Sequence, residues 1–302
     1  MTAFTIPRAH RADDTSRAAA IEMLGGEEAL DALVRDGLPV GPGDRFDSRD
    51  LFNFALRSGG GKTVPEQAFA FALRWMRSPA EALLKPRTSN FSLALKCSCT
   101  PTALARPRPE PYGGSVSDLT ADDPTALQSP NDLVLARELS ATVRTEGELV
   151  PLRSPLLRDE VEAFADLGVR WVKLPDSLRE DVDLVTDHRV ATCESASLHL
   201  ARRFRDAGYL ADTRIGWVIG MLDLVHAWVE VVDDDGVTKV VDPIFALLAD
   251  LVPGANPLLT DPAVALRTNR LIPTGLAVGG RVAVHACATA PRTKITPAKE
   301  KP

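Results

Sequence analysis

The sequence predicts an α+β fold in which a helical N-terminal region precedes a core of helices and strands. Helix-capping residues and glycine stops recur through the first hundred residues, which indicates a series of short helices there. Later in the chain, a helical pattern over 193–205 is followed by three segments typical of strands. These strands are predicted at 211–219, 226–232 and 238–242.

Four helices are predicted in the N-terminal region. The first is capped within 14–16 and ends at the glycine pair 25–26, and the second covers 27–35. Ser48 is the predicted cap of the third helix, and Pro65 suits the first turn of a fourth helix that reaches residue 77. A strand is expected to follow at 91–99.

The remaining segments complete a division into four regions. A helix is predicted from an Asp132 cap to residue 144, another helix over 159–167, and a late strand over 276–287. The predicted regions themselves are a helical N-terminal region (1–100), a proline-rich linker or surface loop (101–130), a catalytic core (131–290) and a disordered tail (291–302).

The composition argues against two classes of partner. The chain has 302 residues and a net charge of -6, without a stripe of Lys and Arg, so no nucleic acid is expected. No apolar run approaches the roughly 20 residues that span a bilayer, and residues 1–14 lack the apolar segment of a secretory signal, so no membrane is expected. Four cysteines are too few for a disulfide scaffold, which predicts free thiols and a cytoplasmic location.

Cys193 is the candidate nucleophile, because it follows Thr192, a residue typical of helix caps. A helix N-terminus favours the reactive thiolate through its unpaired amide groups and its dipole. The backbone amide of Cys193 could also donate a hydrogen bond to an oxyanion. Such a thiol needs a base within hydrogen-bond reach, and a third group must orient that base.

The hairpin after this helix could supply both groups. Residues 233–236 read Asp-Asp-Asp-Gly, a hairpin signal. If the loop is 234–236 with its glycine in the left-handed position, Trp228 pairs with Asp242 across the two strands. His226 and Asp242 then lie on one face as diagonal neighbours. A loop with an even number of residues would place them on opposite faces.

These residues resemble the core motifs of the transglutaminase-like superfamily, whose fold is papain-like. That family places a Cys at a helix start, then a strand that opens with a His-Ala-Trp-Val-Glu-Val type motif, then a strand that ends in Asp-Pro. All three features occur here in that order, within residues 130–245. The family often has a glycine before the cysteine, whereas this chain has Thr192.

The resemblance implies a catalytic triad. Cys193 would be the nucleophile, His226 the base and Asp242 the group that orients the imidazole. Trp171 and Trp228 are candidate substrate-binding residues, Trp171 as an indole donor to the oxyanion and Trp228 as a pocket wall, with plain packing as the alternative for both.

A metal site is not expected. Cys97 and Cys99 could combine with His285 and Cys287, but the Cys-x-Cys and His-x-Cys spacings differ from the usual two-residue spacing of zinc ligands. No cofactor is predicted either.

The resemblance implies acyl transfer through a thioester acyl-enzyme. The leading expectation is amide bond formation in bacterial small-molecule biosynthesis, with a small-molecule or carrier-protein-bound acyl donor and an amine acceptor. A cysteine peptidase or amidase is the alternative, and a catalytically inactive binding module is a third. The oligomeric state is not predicted.

Overall fold

The computed structural model describes residues 4–128, 131–221 and 224–298. Its α-helices are α1 (Arg17–Leu24), α2 (Glu27–Arg35), α3 (Ser48–Ala55), α4 (Val64–Ala72), α5 (Ala80–Leu84), α6 (Pro155–Asp166), α7 (Asp183–Asp187), α8 (Cys193–Asp206) and α9 (Pro243–Ala249). Its strands are β1 (Thr15–Ser16), β2 (Arg45–Phe46), β3 (Arg87–Ala94), β4 (Ala103–Ala105), β5 (Ser115–Ala121), β6 (Leu133–Val134), β7 (Glu138–Thr145), β8 (Glu148–Pro151), β9 (Arg170–Trp171), β10 (Val190–Ala191), β11 (Ala211–Val218), β12 (Val225–Val232), β13 (Thr238–Val241), β14 (Val264–Arg267), β15 (Leu271–Pro273), β16 (Ala283–Val284) and β17 (Arg292–Pro297).

The chain is therefore a mixed helix-and-sheet protein, in agreement with the predicted class. Among the described strands, β9 and β10 pair in parallel and the other ladders are antiparallel. None of the helices in the described ranges is both long and apolar enough to span a bilayer.

The first two helices begin and end where local signals predict. The Ser16 side chain accepts a hydrogen bond from a first-turn amide of α1, and Gly25 ends that helix with a φ of 79°. The bounds of α2 coincide with the predicted 27–35. Short-range capping chemistry is therefore sufficient to delimit these elements.

Two other N-terminal predictions need correction. The cap of α3 is Asp47, not Ser48, because the Asp47 carboxylate accepts two amide hydrogen bonds from the first turn. Thr63 forms a capping box at the start of α4, and Pro65 lies in its first turn as predicted. The α-helix is shorter than expected, since Arg74–Arg77 is a 3₁₀ turn.

The middle of the chain is more regular than the sequence suggests. The predicted linker, as far as residue 128, contains β4 and β5, while residues 129–130 lie outside the described residues. The helix predicted from Asp132 to residue 144 is wrong, because 138–145 form β7. Every second residue of β7 from Leu139 onward is buried, and this two-residue period decides in favour of a strand.

The C-terminal predictions also change. Residues 292–297 are not a disordered tail but form β17, which pairs with β3 along six residues; 299–302 lie outside the described residues. The strand expected over 276–287 reduces to β16. The resulting sheet has the order β17-β3-β7-β5, so β3 of the N-terminal region lies inside a sheet with later segments. The division into four regions otherwise stays a prediction.

A second four-stranded sheet positions the candidate site, with the order β13-β12-β11-β15. Val229 pairs with Val241 and Val232 with Thr238, which continues to the predicted pairing of residues 228 and 242. The loop is the predicted one, since Gly236 has a φ of 74° and its amide donates to the Asp233 carbonyl at 2.8 Å. The odd-residue loop therefore gives the register that the sequence required.

A buried ion pair holds this hairpin. The Lys239 ammonium lies 2.6 Å from the Asp233 carboxylate, and both side chains are almost fully buried. Asp233 also accepts hydrogen bonds from the amides of Arg153 and Ser154, while Lys239 has a second, more exposed partner in Asp235 at 2.8 Å. Burial opposes the charge on Asp233, but these donors lower its pKa to about 2.

Lys239→Met should destabilise the fold by about 3–5 kcal/mol, because it leaves the Asp233 charge buried without its cation. Urea denaturation at neutral pH measures this loss. Asp235→Asn is the matched control and should cost much less, since its side chain is 35% exposed. Because the folded pKa of Asp233 lies below its ordinary 3.8, the stabilisation is complete above that value and is lost as the pH falls toward 2. Equal losses in the two variants would contradict the role of the buried pair.

Candidate functional site

Cys193 occupies the first position of α8. The Thr192 side chain accepts a hydrogen bond from the Ser195 amide at 3.2 Å, and the Ser195 hydroxyl accepts one from the Thr192 amide at 3.0 Å. This reciprocal capping box satisfies the amides of Thr192 and Ser195. The Cys193 residue retains 9% of its surface exposed and is therefore largely buried.

His226 and Asp242 form a close, buried pair. The His226 Nε2 lies 2.6 Å from Asp242 Oδ2, and both side chains are 3% exposed. The other oxygen of Asp242 accepts hydrogen bonds from the amides of Ile244 and Phe245, each at 3.0 Å, and so caps α9. One carboxylate thus holds the imidazole and begins a helix. Because Nε2 is engaged, Nδ1 is the ring nitrogen left for another partner.

The environment of His226 favours its protonated form. Burial by itself disfavours the imidazolium, but the Asp242 charge and hydrogen bond, followed by a hydrogen bond with the Cys193 thiol, raise the pKa of His226 to about 10. The structure therefore brings together the three residues that the sequence singled out. Their arrangement can support a thiolate beside an imidazolium.

Aromatic packing fixes the plane of the imidazole. The Phe245 ring stacks on His226 with centroids 4.9 Å apart and planes 9° apart. Trp75 of the N-terminal region packs edge-on against Phe245 at 5.2 Å. The sequence offered no signal for the contact between Trp75 and Phe245, because these two residues lie far apart in the chain.

Trp228 lies in the interior of the protein. Its side chain is completely buried, and its indole N–H donates to the Tyr112 hydroxyl at 2.8 Å. Tyr112 in turn donates to the Glu230 carboxylate, which also pairs with Arg214 at 2.7 Å. This burial supports the packing alternative for Trp228, and its contact with a substrate stays a prediction.

Trp171 lies close to the start of α8. It pairs with Ala191 through the parallel β9 and β10 strands, two residues before Cys193. Its ring is partly buried and packs on Phe69 at a centroid distance of 5.0 Å. Asn53 exchanges two hydrogen bonds with the backbone of Lys173, two residues after Trp171. The N-terminal helices thus hold this segment, and the oxyanion role of Trp171 stays a prediction.

Arg179 is a charged neighbour that the sequence did not reveal. Its guanidinium lies 2.7 Å from the Glu194 carboxylate, one residue after Cys193. Burial opposes the charge, but Glu194 and then Cys193 raise the pKa of Arg179. Its backbone carbonyl also accepts a hydrogen bond from Thr192 at 2.6 Å. A lone Arg in a loop carries no pattern in the sequence that predicts this neighbour.

Comparisons with known proteins give distant similarities. No family and no curated protein matches the sequence. Among solved structures, the chain is similar to a candidate cysteine protease from Cytophaga hutchinsonii, with 13% identity, a TM-score of 0.39, and coverage of 72% of this chain and 91% of that chain. It is also similar to the periplasmic domain of TgpA from Pseudomonas aeruginosa, with 16% identity, a TM-score of 0.30, and coverage of 62% and 95%.

Proposed function

We propose that this chain is a cysteine-dependent acyl-transfer enzyme of the transglutaminase-like superfamily. The observation that carries the proposal is the His226 imidazole, held by Asp242 at 2.6 Å and near enough to the Cys193 thiol for that thiol to contribute to its raised pKa. A nucleophile at a helix start, a base and an orienting carboxylate form the arrangement that covalent acyl transfer requires. Cys193, His226 and Asp242 take these three roles.

The reaction would proceed in two halves. The Cys193 thiolate attacks the acyl carbon, and the backbone amide of Cys193 donates to the resulting oxyanion, with the Trp171 indole as a second donor. The His226 imidazolium gives its proton to the leaving group, which leaves a thioester on Cys193. An acceptor then loses a proton to His226 and attacks the thioester, so the acyl group is transferred and the thiolate is restored.

We further propose an amine as the acceptor, so that the product is an amide made in bacterial small-molecule biosynthesis. The acyl donor would be a small molecule or a carrier-protein-bound group. Only 9% of Cys193 and 3% of His226 are exposed, which supports transfer to a bound amine over hydrolysis by bulk water.

Alkylation of the thiols at pH 6 tests the proposed activation. An ordinary thiol is only about 0.3% ionised at this pH, so iodoacetamide reacts slowly with it. Cys193 of the folded protein should react at least about tenfold faster than Cys193 of the urea-unfolded chain, although folding buries it. Peptide mapping by mass spectrometry gives both rates.

The unfolded chain is the matched control, because it compares one residue with itself. A folded rate equal to or below the unfolded rate would contradict an activated thiol and favour a binding module. With candidate thioesters, amides and peptides, intact mass should then show an acyl adduct on Cys193. The release of that adduct by added amines but not by water separates transfer from hydrolysis.

A further inference from the structure

Two loops outside the proposed active site bring four metal-binding side chains together. One loop joins β3 to β4 and carries Cys97 and Cys99; the other joins β16 to β17 and carries His285 and Cys287. The strands on both sides pair with each other, β3 with β17 and β4 with β16. The loops therefore run side by side between two sheets, although about 190 residues separate them in the chain.

The donor atoms already lie near tetrahedral spacing. All four lie within 4.8 Å of one another. The Nδ1 of His285 is 3.9 Å from the Cys97 sulfur and 3.4 Å from the Cys287 sulfur. In a tetrahedral zinc site with Zn–S bonds of about 2.3 Å and Zn–N bonds of about 2.0 Å, donor atoms are separated by about 3.5–3.8 Å. The side chains need to contract by about 1 Å at most.

The chemistry of the donor set selects the ion. Three thiolates and one imidazole are soft and borderline ligands, which suit Zn²⁺ and not Mg²⁺ or Ca²⁺. Four protein ligands would close a tetrahedral site, and closed sites are structural. Cys97, Cys99 and His285 are half-buried and Cys287 is exposed, so an ion has a route of entry.

We propose that Cys97, Cys99, His285 and Cys287 bind one structural Zn²⁺ ion that fastens the C-terminal strands to the rest of the fold. This revises the expectation of no metal, which was based on the one-residue spacing within each pair. The one-residue spacing excludes a zinc site built on the usual pair of ligands separated by two residues. It does not exclude one in which two adjacent loops each contribute a Cys-x-Cys or His-x-Cys pair. The ion would hold β16 and β17 in place by closing a long loop.

Zinc content is the direct test. Protein purified without chelators and desalted should contain one zinc per chain by elemental analysis. Cys287→Ser should lose most of this zinc, and its exposed position makes a folding defect an inadequate explanation. Ser98→Ala, an exposed non-ligand between Cys97 and Cys99, is the matched control and should keep the full content, as should Cys193→Ala.

Cobalt gives an independent readout. After zinc removal, Co²⁺ should produce the strong visible absorption of a tetrahedral thiolate site, and Zn²⁺ should abolish it. Zinc-loaded protein should also melt at a higher temperature than the metal-free form, and this difference should disappear in Cys287→Ser. Absence of stoichiometric zinc together with an octahedral or absent cobalt spectrum would overturn the proposal. The proposal would also be overturned if protein purified in the presence of a reducing agent still contained a disulfide among Cys97, Cys99 and Cys287.

Discussion

Cys193→Ala should abolish turnover, because it removes the thiol that would carry the acyl group. The loss should reach the background rate, and no acyl adduct should appear on the variant by intact mass after incubation with a donor that acylates the unchanged protein. The fold should persist, since alanine suits the first turn of a helix and the cap belongs to Thr192 and Ser195. Thermal denaturation verifies this.

Ser197→Ala is the matched control for this substitution. Ser197 lies one turn further along α8 and is fully buried. Its replacement removes one hydroxyl from the same helix and leaves Cys193, His226 and Asp242 in place, so turnover should stay close to that of the unchanged protein. Turnover that survives in Cys193→Ala, or an adduct on Cys97, Cys99 or Cys287, would show that the nucleophile has been misassigned.

Asp242→Asn should fold normally but lose about a hundredfold in turnover. Asn is as good a helix cap as Asp, so an Asn oxygen can still accept the amides of Ile244 and Phe245. The variant loses the charge that stabilises the imidazolium, and its amide favours another ring orientation. The expected loss is smaller than in serine triads, because a thiol ionises more readily than a hydroxyl.

The same variant should change the pH dependence. The pKa of His226 is raised from 6.5 to about 10, so its protonated form contributes stability that is complete below 6.5 and is lost as the pH rises through about 10. Removal of the Asp242 charge lowers the pKa of His226. In a plot of the Cys193 alkylation rate against pH, the step caused by deprotonation of His226 should therefore move to lower pH. The stability that protonated His226 contributes to the fold should also be lost at a lower pH than in the unchanged protein.

Asp47→Asn controls for the change of a capping residue. Asp47 caps α3, and its hydrogen-bond partners lie in residues 12–50. This variant should leave both turnover and the alkylation profile unchanged. If Asp242→Asn also leaves them unchanged, Asp242 serves only as the cap of α9, and the orienting group is another residue.

Local signals predicted part of the fold well. The cap at Ser16, the stop at Gly25 and the start of α8 depend on hydrogen bonds between residues a few positions apart. The hairpin register depends on one glycine that adopts a positive φ, and on the two-residue period of strands. These interactions are contained within short segments, and the sequence of each segment is enough to predict them.

Long-range packing explains the errors. The helix predicted from Asp132 is β7, because this segment pairs with β3 on one side and β5 on the other and buries its alternate residues on one face of the sheet. Residues 292–297 of the expected disordered tail form β17 because β3 offers them an edge. Strand partners of this kind are chosen by the burial of a whole sheet, so no local pattern marks them.

By itself, the sequence determined the helix start at Cys193 and the hairpin that places His226 beside Asp242, because caps and tight turns act over a few residues. Only the tertiary structure decided what surrounds them: the Phe245 ring stacked on His226, the burial of Trp228, and the Arg179 charge near the thiol. It also decided the approach of the two cysteine-bearing loops. These contacts join residues far apart in the chain, and they form because the two sheets and their helices bury one common core.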